Sequence, residues 1–128
     1  MKAKILSFLC ICFIILPCIF LSGCDIDYKK YEGNYFLTLV TYANGETKTI
    51  DNLIEDNSVQ NKEQEVINLT RDQLVTLNGL IGGNSGTYEI SEDAIILKFD
   101  NNTIIGSIVS NTITLNISGI TYVYERSK

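Results

Sequence analysis

From residue 87 onward this chain repeats one unit: a strand-like run of five to seven residues, alternating apolar and polar in most of them, then two or three turn formers. The runs are 87–91, 94–99, 103–109, 112–117 and 120–126. Between them stand Glu92-Asp93, Asp100-Asn101-Asn102, Ser110-Asn111 and Ser118-Gly119. These residues favour turns through their side-chain oxygens or their tolerance of left-handed backbone. A period of two is the mark of strands. A connection of two or three residues cannot cross over a sheet, so successive strands must be antiparallel neighbours. The C-terminal third is thereby restricted to a meander.

The same period holds upstream. Tyr35 to Tyr42 predicts a first strand, with Tyr35, Leu37 and Leu39 inward and Phe36, Val40 and Tyr42 outward. Asn44-Gly45 is a strong turn signal. Thr49 to Asp56 predicts one helical turn, because Ile50, Leu53 and Ile54 fall on one side; 57–64 is polar loop. Strands are expected at Glu65–Thr70 and Gln73–Leu80, and a flexible loop at Gly82–Gly86. An up-and-down sheet of this size removes its exposed edges by closing on itself. The fold class predicted is all-β: an antiparallel meander of about eight strands, closed as a small barrel, after an N-terminal signal helix. The inward set is Tyr35, Leu37, Leu39, Ile67, Leu69, Tyr88, Ile90, Ile95, Leu97, Phe99, Ile113, Leu115, Ile117, Tyr122 and Tyr124. In 103–109 both faces are apolar and the inner one stays open. Gly106 marks a bend or a bulge there.

The first residues follow a different logic. Lys2 and Lys4 precede an apolar run from Ile5 to Leu21, broken only by Ser7 and Pro17. Positive charge before a short apolar core is the pattern of a secretory signal, and the lysines hold the cytoplasmic side. Seventeen residues make about 25 Å of helix, short of the ~20 residues a stable span needs. The run ends in Leu21-Ser22-Gly23-Cys24, which resembles the bacterial lipobox. That resemblance implies cleavage between Gly23 and Cys24 and lipid attachment to Cys24, through a diacylglyceryl group and a palmitate-type acyl chain. The alternative is an uncleaved anchor helix with Cys24 an incidental thiol. Either way the remaining chain lies outside the cytoplasm, held to the cell membrane. The expected organisation is a signal peptide at 1–23, a lipidated tether at 24–30 and a barrel domain at 31–128.

Removing 23 of 128 residues leaves 105, one small domain. It loses Lys2 and Lys4, so eight cations face 15 carboxylates, a net charge of −7. That charge argues against nucleic acid and against electrostatic adhesion to anionic lipid. Attachment must come from acyl chains, and stable anchoring takes two or more. Cys10, Cys12 and Cys18 leave with the signal, so the mature domain has no disulfide. It has no histidine, hence no histidine-based triad and no histidine metal site. Paired-carboxylate hydrolysis is formally open to Asp51, Glu55, Asp56, Glu89, Glu92, Asp93 and Asp100, yet several of these sit where turn chemistry alone favours acids. The 51–57 carboxylates lack the spacing of a calcium loop. No catalytic residue, metal or cofactor is expected.

Gly86-Thr87-Tyr88-Glu89-Ile90, Ile96-Leu97-Lys98-Phe99, Ile105-Gly106-Ser107-Ile108, Asn111-Thr112-Ile113-Thr114-Leu115 and Tyr122-Val123-Tyr124-Glu125-Arg126 resemble the small lipocalin-like domains of bacterial lipoproteins. The likeness covers about residues 31–126. Gly33-Asn34-Tyr35 stands where lipocalins carry Gly-x-Trp, with Tyr35 replacing the tryptophan. Arg126 stands where they place an arginine over that ring. The resemblance implies a ligand-lining set of Tyr35, Leu37, Tyr88, Leu97, Leu115, Tyr122 and Tyr124. The competing reading makes these plain core residues, since short strands can fill an eight-stranded barrel. Two functions follow: a filled barrel that contacts an envelope protein, or a carrier of a small apolar ligand. A monomer is expected in both.

Overall fold

The computed structural model describes residues 26–127. The segment expected to be a signal peptide, the expected lipobox residues Leu21, Ser22 and Gly23, and Cys24 lie outside the described residues. Among the described residues no helix is long and apolar enough to cross a membrane. Nine antiparallel strands form one sheet: β1 (Gly33–Thr41), β2 (Thr47–Thr49), β3 (Val66–Leu69), β4 (Leu74–Asn78), β5 (Asn84–Ser91), β6 (Ala94–Lys98), β7 (Thr103–Val109), β8 (Thr112–Ile117) and β9 (Ile120–Arg126). Strands β3 to β9 run up and down in sequence order, and β9 pairs back onto β1. Eight strands thus close a barrel, as expected, and β2 is an added flap on the far half of β1.

β1 is long enough to serve three partners. Its first half pairs with β3 from Gly33↔Leu69 to Phe36↔Val66, its second half with β2, and its stretch from Tyr35 to Thr41 with β9. Between β2 and β3 the chain makes a short helix, α1 (Ile50–Glu55), whose Thr49 and Asn52 side chains cap each other's backbone N–H groups. This reciprocal box satisfies donors that a helix start leaves orphaned. Leu53 is the buried residue of α1, and Val59 in the following loop is buried with it. Both plug the gap that opens where β1 changes partner from β3 to β2.

Alternation correctly gives the inner face of most strands. Ile67, Leu69, Tyr88, Ile90, Ile95, Leu97, Ile113, Leu115 and Tyr124 are all buried. Phe99, Ile117 and Tyr122 are partly exposed and pack against the core from its edge. In β1 the expectation fails halfway. Leu37 opposes Tyr124 but Leu39 opposes Val123, so Thr38 is one residue extra. This β-bulge inverts the alternation. Val40, expected outward, is buried, and Leu39, expected inward, is half-buried. Thr38 Oγ1 donates to the Val123 carbonyl at 3.2 Å and holds the bulge in place.

In β7 the buried residue is Ile108, which puts Gly106 on the inner face as well. A Cβ there would overlap the Thr114 carbonyl oxygen and stand 2.6 Å from Leu115 Cδ2. The missing side chain is therefore no gap, because Leu115 fills it. β5 begins at Asn84, within what the glycines suggested was loop. Gly86 permits this: a Cβ on it would strike the Lys98 backbone and stand 2.8 Å from the Phe99 ring. The segment read as a tether also belongs to the fold from Ile26 onward. Tyr28–Tyr31 forms a 3₁₀ turn, and Ile26, Tyr28 and Tyr31 pack against the core.

Candidate functional site

Four places in the barrel could do more than hold it together: its axis, its two ends and one groove on its wall. The axis holds the residues implied as ligand-lining. Tyr35, Leu37, Tyr88, Leu97, Leu115 and Tyr124 are all brought inside; Tyr122 stands at the margin, partly exposed. A void wide enough for water would give its lining side chains accessible area. Tyr35, Ile67, Tyr88, Ile95, Leu97, Ile113, Leu115 and Tyr124 have none. The middle of this barrel is filled by its own side chains, as narrow eight-stranded barrels can be.

The tyrosine hydroxyls follow different fates. An up-and-down meander puts alternate turns at the same end. The near end carries the 3₁₀ turn, the β3–β4, β5–β6 and β7–β8 turns and the C-terminus. Two hydroxyls are used here. Tyr35 Oη donates to the Tyr31 carbonyl at 2.8 Å, and Tyr88 Oη to the Thr70 carbonyl at 2.6 Å. Tyr28 meets the Tyr88 ring edge-on at 5.5 Å between centroids, a preferred aromatic geometry. Its own Oη accepts from Ile90 N at 3.4 Å. Burial raises the Tyr35 phenol above its ordinary range, with Arg126 opposing that shift. Burial raises the Tyr88 phenol too. Both are neutral hydrogen-bond donors in structural positions.

Arg126 ties the near end together. Its Nη1 donates to the carbonyls of Lys30 at 2.7 Å and Glu32 at 3.1 Å. Its Nε donates to Asn111 Oδ1 at 3.1 Å, and Nη2 reaches the same oxygen. The guanidinium carbon lies 5.4 Å from the Tyr35 ring centre, within cation–π range. Gly33 makes room: a Cβ on it would stand 3.0 Å from Arg126 Cδ. An open cleft of about 370 Å³ beside this knot is bordered by Lys30, Glu92, Asp93 and Ser110. Arg126 contributes no free donor pair to it, because its fork is already engaged.

The far end buries the polar groups of Glu65, which alternation had not marked, and of Tyr124, which it had. Glu65 is only 6% exposed and accepts from Leu80 N at 2.7 Å. Gly79, at φ +115°, leaves space that any side chain would take from that carboxylate. Tyr124 Oη is buried and has no hydrogen-bond partner among the described residues. Burial raises its phenol, and the nearby Glu65 charge adds to the rise. Glu65 shares the parity of Ile67 and Leu69, so the pattern could have marked it as inward. It stood at the start of an expected strand, and its charge kept it out of the inward set.

On the wall, a groove of about 480 Å³ runs between β1 and α1, lined by Phe36, Leu37, Thr38, Ile50, Lys62 and Glu63, with Ser127 at its border. The bulge at Thr38 and the change of partner along β1 create it. The carboxylates considered for hydrolysis do not converge. Asp56 pairs with Lys48 at 2.6 Å and Glu89 with Lys98 at 2.8 Å. Among the described residues no three carboxylates or cysteines are grouped closely enough to hold a metal ion. No family model, curated protein or solved structure matches the chain.

Proposed function

We propose that this chain is a lipoprotein of the cell envelope, anchored outside the cytoplasm by acyl chains on Cys24. Its lipocalin-like barrel serves as a non-catalytic interaction or structural module. The membrane half of this reading rests on sequence: Lys2 and Lys4, the apolar run, and Leu21-Ser22-Gly23-Cys24. The observation that carries the other half is the filled axis. A carrier of drug-sized apolar molecules usually needs about 300–1,000 Å³ of enclosed space. Eight side chains with no accessible area occupy that place. The filled interior supports contact through the surface over transport through the core. The exposed Ile105, at 65%, lies on the outer wall, where an envelope protein could meet it.

Cys24→Ser tests the anchor. The variant should accumulate as unprocessed precursor without acyl mass, read by intact-mass spectrometry and detergent-phase partition. A variant still cleaved after Gly23 and still acylated refutes the lipobox. Purification of the mature protein followed by solvent extraction tests the module. Stoichiometric recovery of an apolar small molecule would favour the carrier instead.

A further inference from the structure

Lipid attachment at Cys24 leaves little freedom to the barrel, because the fold begins almost at once. Ile26 already packs against the core, and the chain then enters the 3₁₀ turn at Tyr28. Two peptide units separate Cys24 from Ile26. Consecutive Cα atoms are 3.80 Å apart, so those units span about 7 Å at most. The acylated residue sits at the boundary between headgroups and acyl chains. A reach of about 7 Å no more than matches the headgroup layer, which is roughly 5–8 Å deep on each side, so the start of the fold is held at that layer's outer margin or within it.

The near end also carries the side chains an interface favours. Leu74, directly after the β3–β4 turn, is 51% exposed, and Val109, directly before the β7–β8 turn, is 53% exposed. They flank the half-buried Ile26, Tyr28 and Tyr31. Tyrosine is enriched at membrane interfaces, where its ring sits in the apolar margin and its hydroxyl in water. Lys29 and Lys30 are exposed on the same turn, and their long stems can bring charge to the headgroups. Asp72, Glu92 and Asp93 in the neighbouring turns offset those cations, so an anionic surface gains no clear hold. Reach and apolar rim act together without net charge.

From these observations we infer that the barrel stands end-on upon the bilayer. The Tyr28–Tyr31 turn and the Leu74 and Val109 rim sit among the headgroups, and the β6–β7 and β8–β9 turns point away. This rests on the lipid anchor proposed above. It leaves the near-end cleft beside Arg126 facing lipid, and leaves the far end and the wall to any protein partner.

The acylated mature protein in phosphatidylcholine vesicles provides the test. Cys10, Cys12 and Cys18 leave with the signal and Cys24 is blocked as a thioether, so one introduced cysteine gives one labelling site. Asp72→Cys marks the near end and Asn101→Cys the far end; both positions are exposed turn residues. Each carries a thiol-linked fluorophore, and the vesicles contain a lipid with a nitroxide on its headgroup. The label at position 72 should be quenched several-fold more than the label at position 101. Adding anionic lipid should leave that ratio unchanged. Equal quenching at both positions, with the protein still floating with the vesicles, overturns the orientation alone. A protein that does not float with vesicles overturns the anchor and the orientation with it.

Discussion

Replacing Gly106 by alanine measures how full the barrel is. A glycine outside the left-handed region usually gains about 0.4–1 kcal/mol on becoming alanine, because the unfolded chain loses freedom. Gly106 is such a glycine, so backbone preference favours the change. Space opposes it. The new methyl would overlap the Thr114 carbonyl oxygen and stand 2.6 Å from Leu115 Cδ2. Leu115 has no accessible area into which it could retreat. The Thr114 oxygen belongs to the strand that pairs with β7 through Gly106↔Leu115 and Ser107↔Thr114. Overpacking of this kind costs about 1–3 kcal/mol, and a loosened ladder hydrogen bond adds about 0.5–1.5 kcal/mol. After the entropic gain, a net loss on the order of 2 kcal/mol remains. Urea unfolding of residues 25–128 measures it, with a fall in melting temperature of ~4–8 °C per kcal/mol for a domain of this size. Gly45→Ala is the control. Its φ is +91° and nothing lies within 4 Å of the added methyl, so only the left-handed backbone penalty of about 1–2 kcal/mol applies. Gly106→Ala that is neutral or stabilising refutes the close contact. It would mean that Leu115 can move into unfilled space, and the carrier function would regain its footing.

Two further outcomes follow from the ends of the molecule. Arg126→Lys keeps the charge but loses the planar fork that joins Asn111 to the carbonyls of Lys30 and Glu32. It should lower stability by about 1.5–3 kcal/mol and speed amide exchange at Lys30 and Glu32; unchanged exchange there would show the knot is dispensable. The Lys48 ammonium, 2.6 Å away, and hydrogen bonds from Ser58 hold the Asp56 carboxyl down at about 2. Because the folded value is depressed, the stabilisation is present above the unfolded carboxyl range. It is lost as pH falls through about 2. Carbon-detected titration of Asp56 should therefore give a midpoint well below that of a free aspartate, moving upward in Lys48→Met; an ordinary midpoint in the unaltered domain contradicts the pairing.

Much of this molecule is written locally, and the local part was legible. Turn residues and alternation depend only on neighbours in the chain. They identified β6 to β9 within a residue of their observed ends, placed the helical turn on Leu53, and required an antiparallel meander. The lining set of Tyr35, Leu37, Tyr88, Leu97, Leu115 and Tyr124 was correctly placed inside, because a two-residue period has only two faces. Whether those side chains surround space or fill it is a matter of volume. No pattern of polar and apolar letters measures volume.

The sequence by itself determined the strands from β6 to β9, the antiparallel order of the meander and the N-terminal pattern that assigns Cys24 its proposed role. Tertiary structure decided the rest, and in each case the cause is a contact distant in sequence. Pairing of β1 with β9 joins residues nearly the whole domain apart, and that pairing inserts the bulge at Thr38. The bulge exchanged Leu39 for Val40 in the core, since one extra residue turns every later side chain over. Ile26 and Tyr28 became part of the fold only because Tyr88 and Ile90, on a strand far along the chain, offer them a surface. Gly106 took the inner face because Leu115 on the neighbouring strand needed its volume. Alternation is a property of one strand; closure, bulge and filling are properties of all eight together.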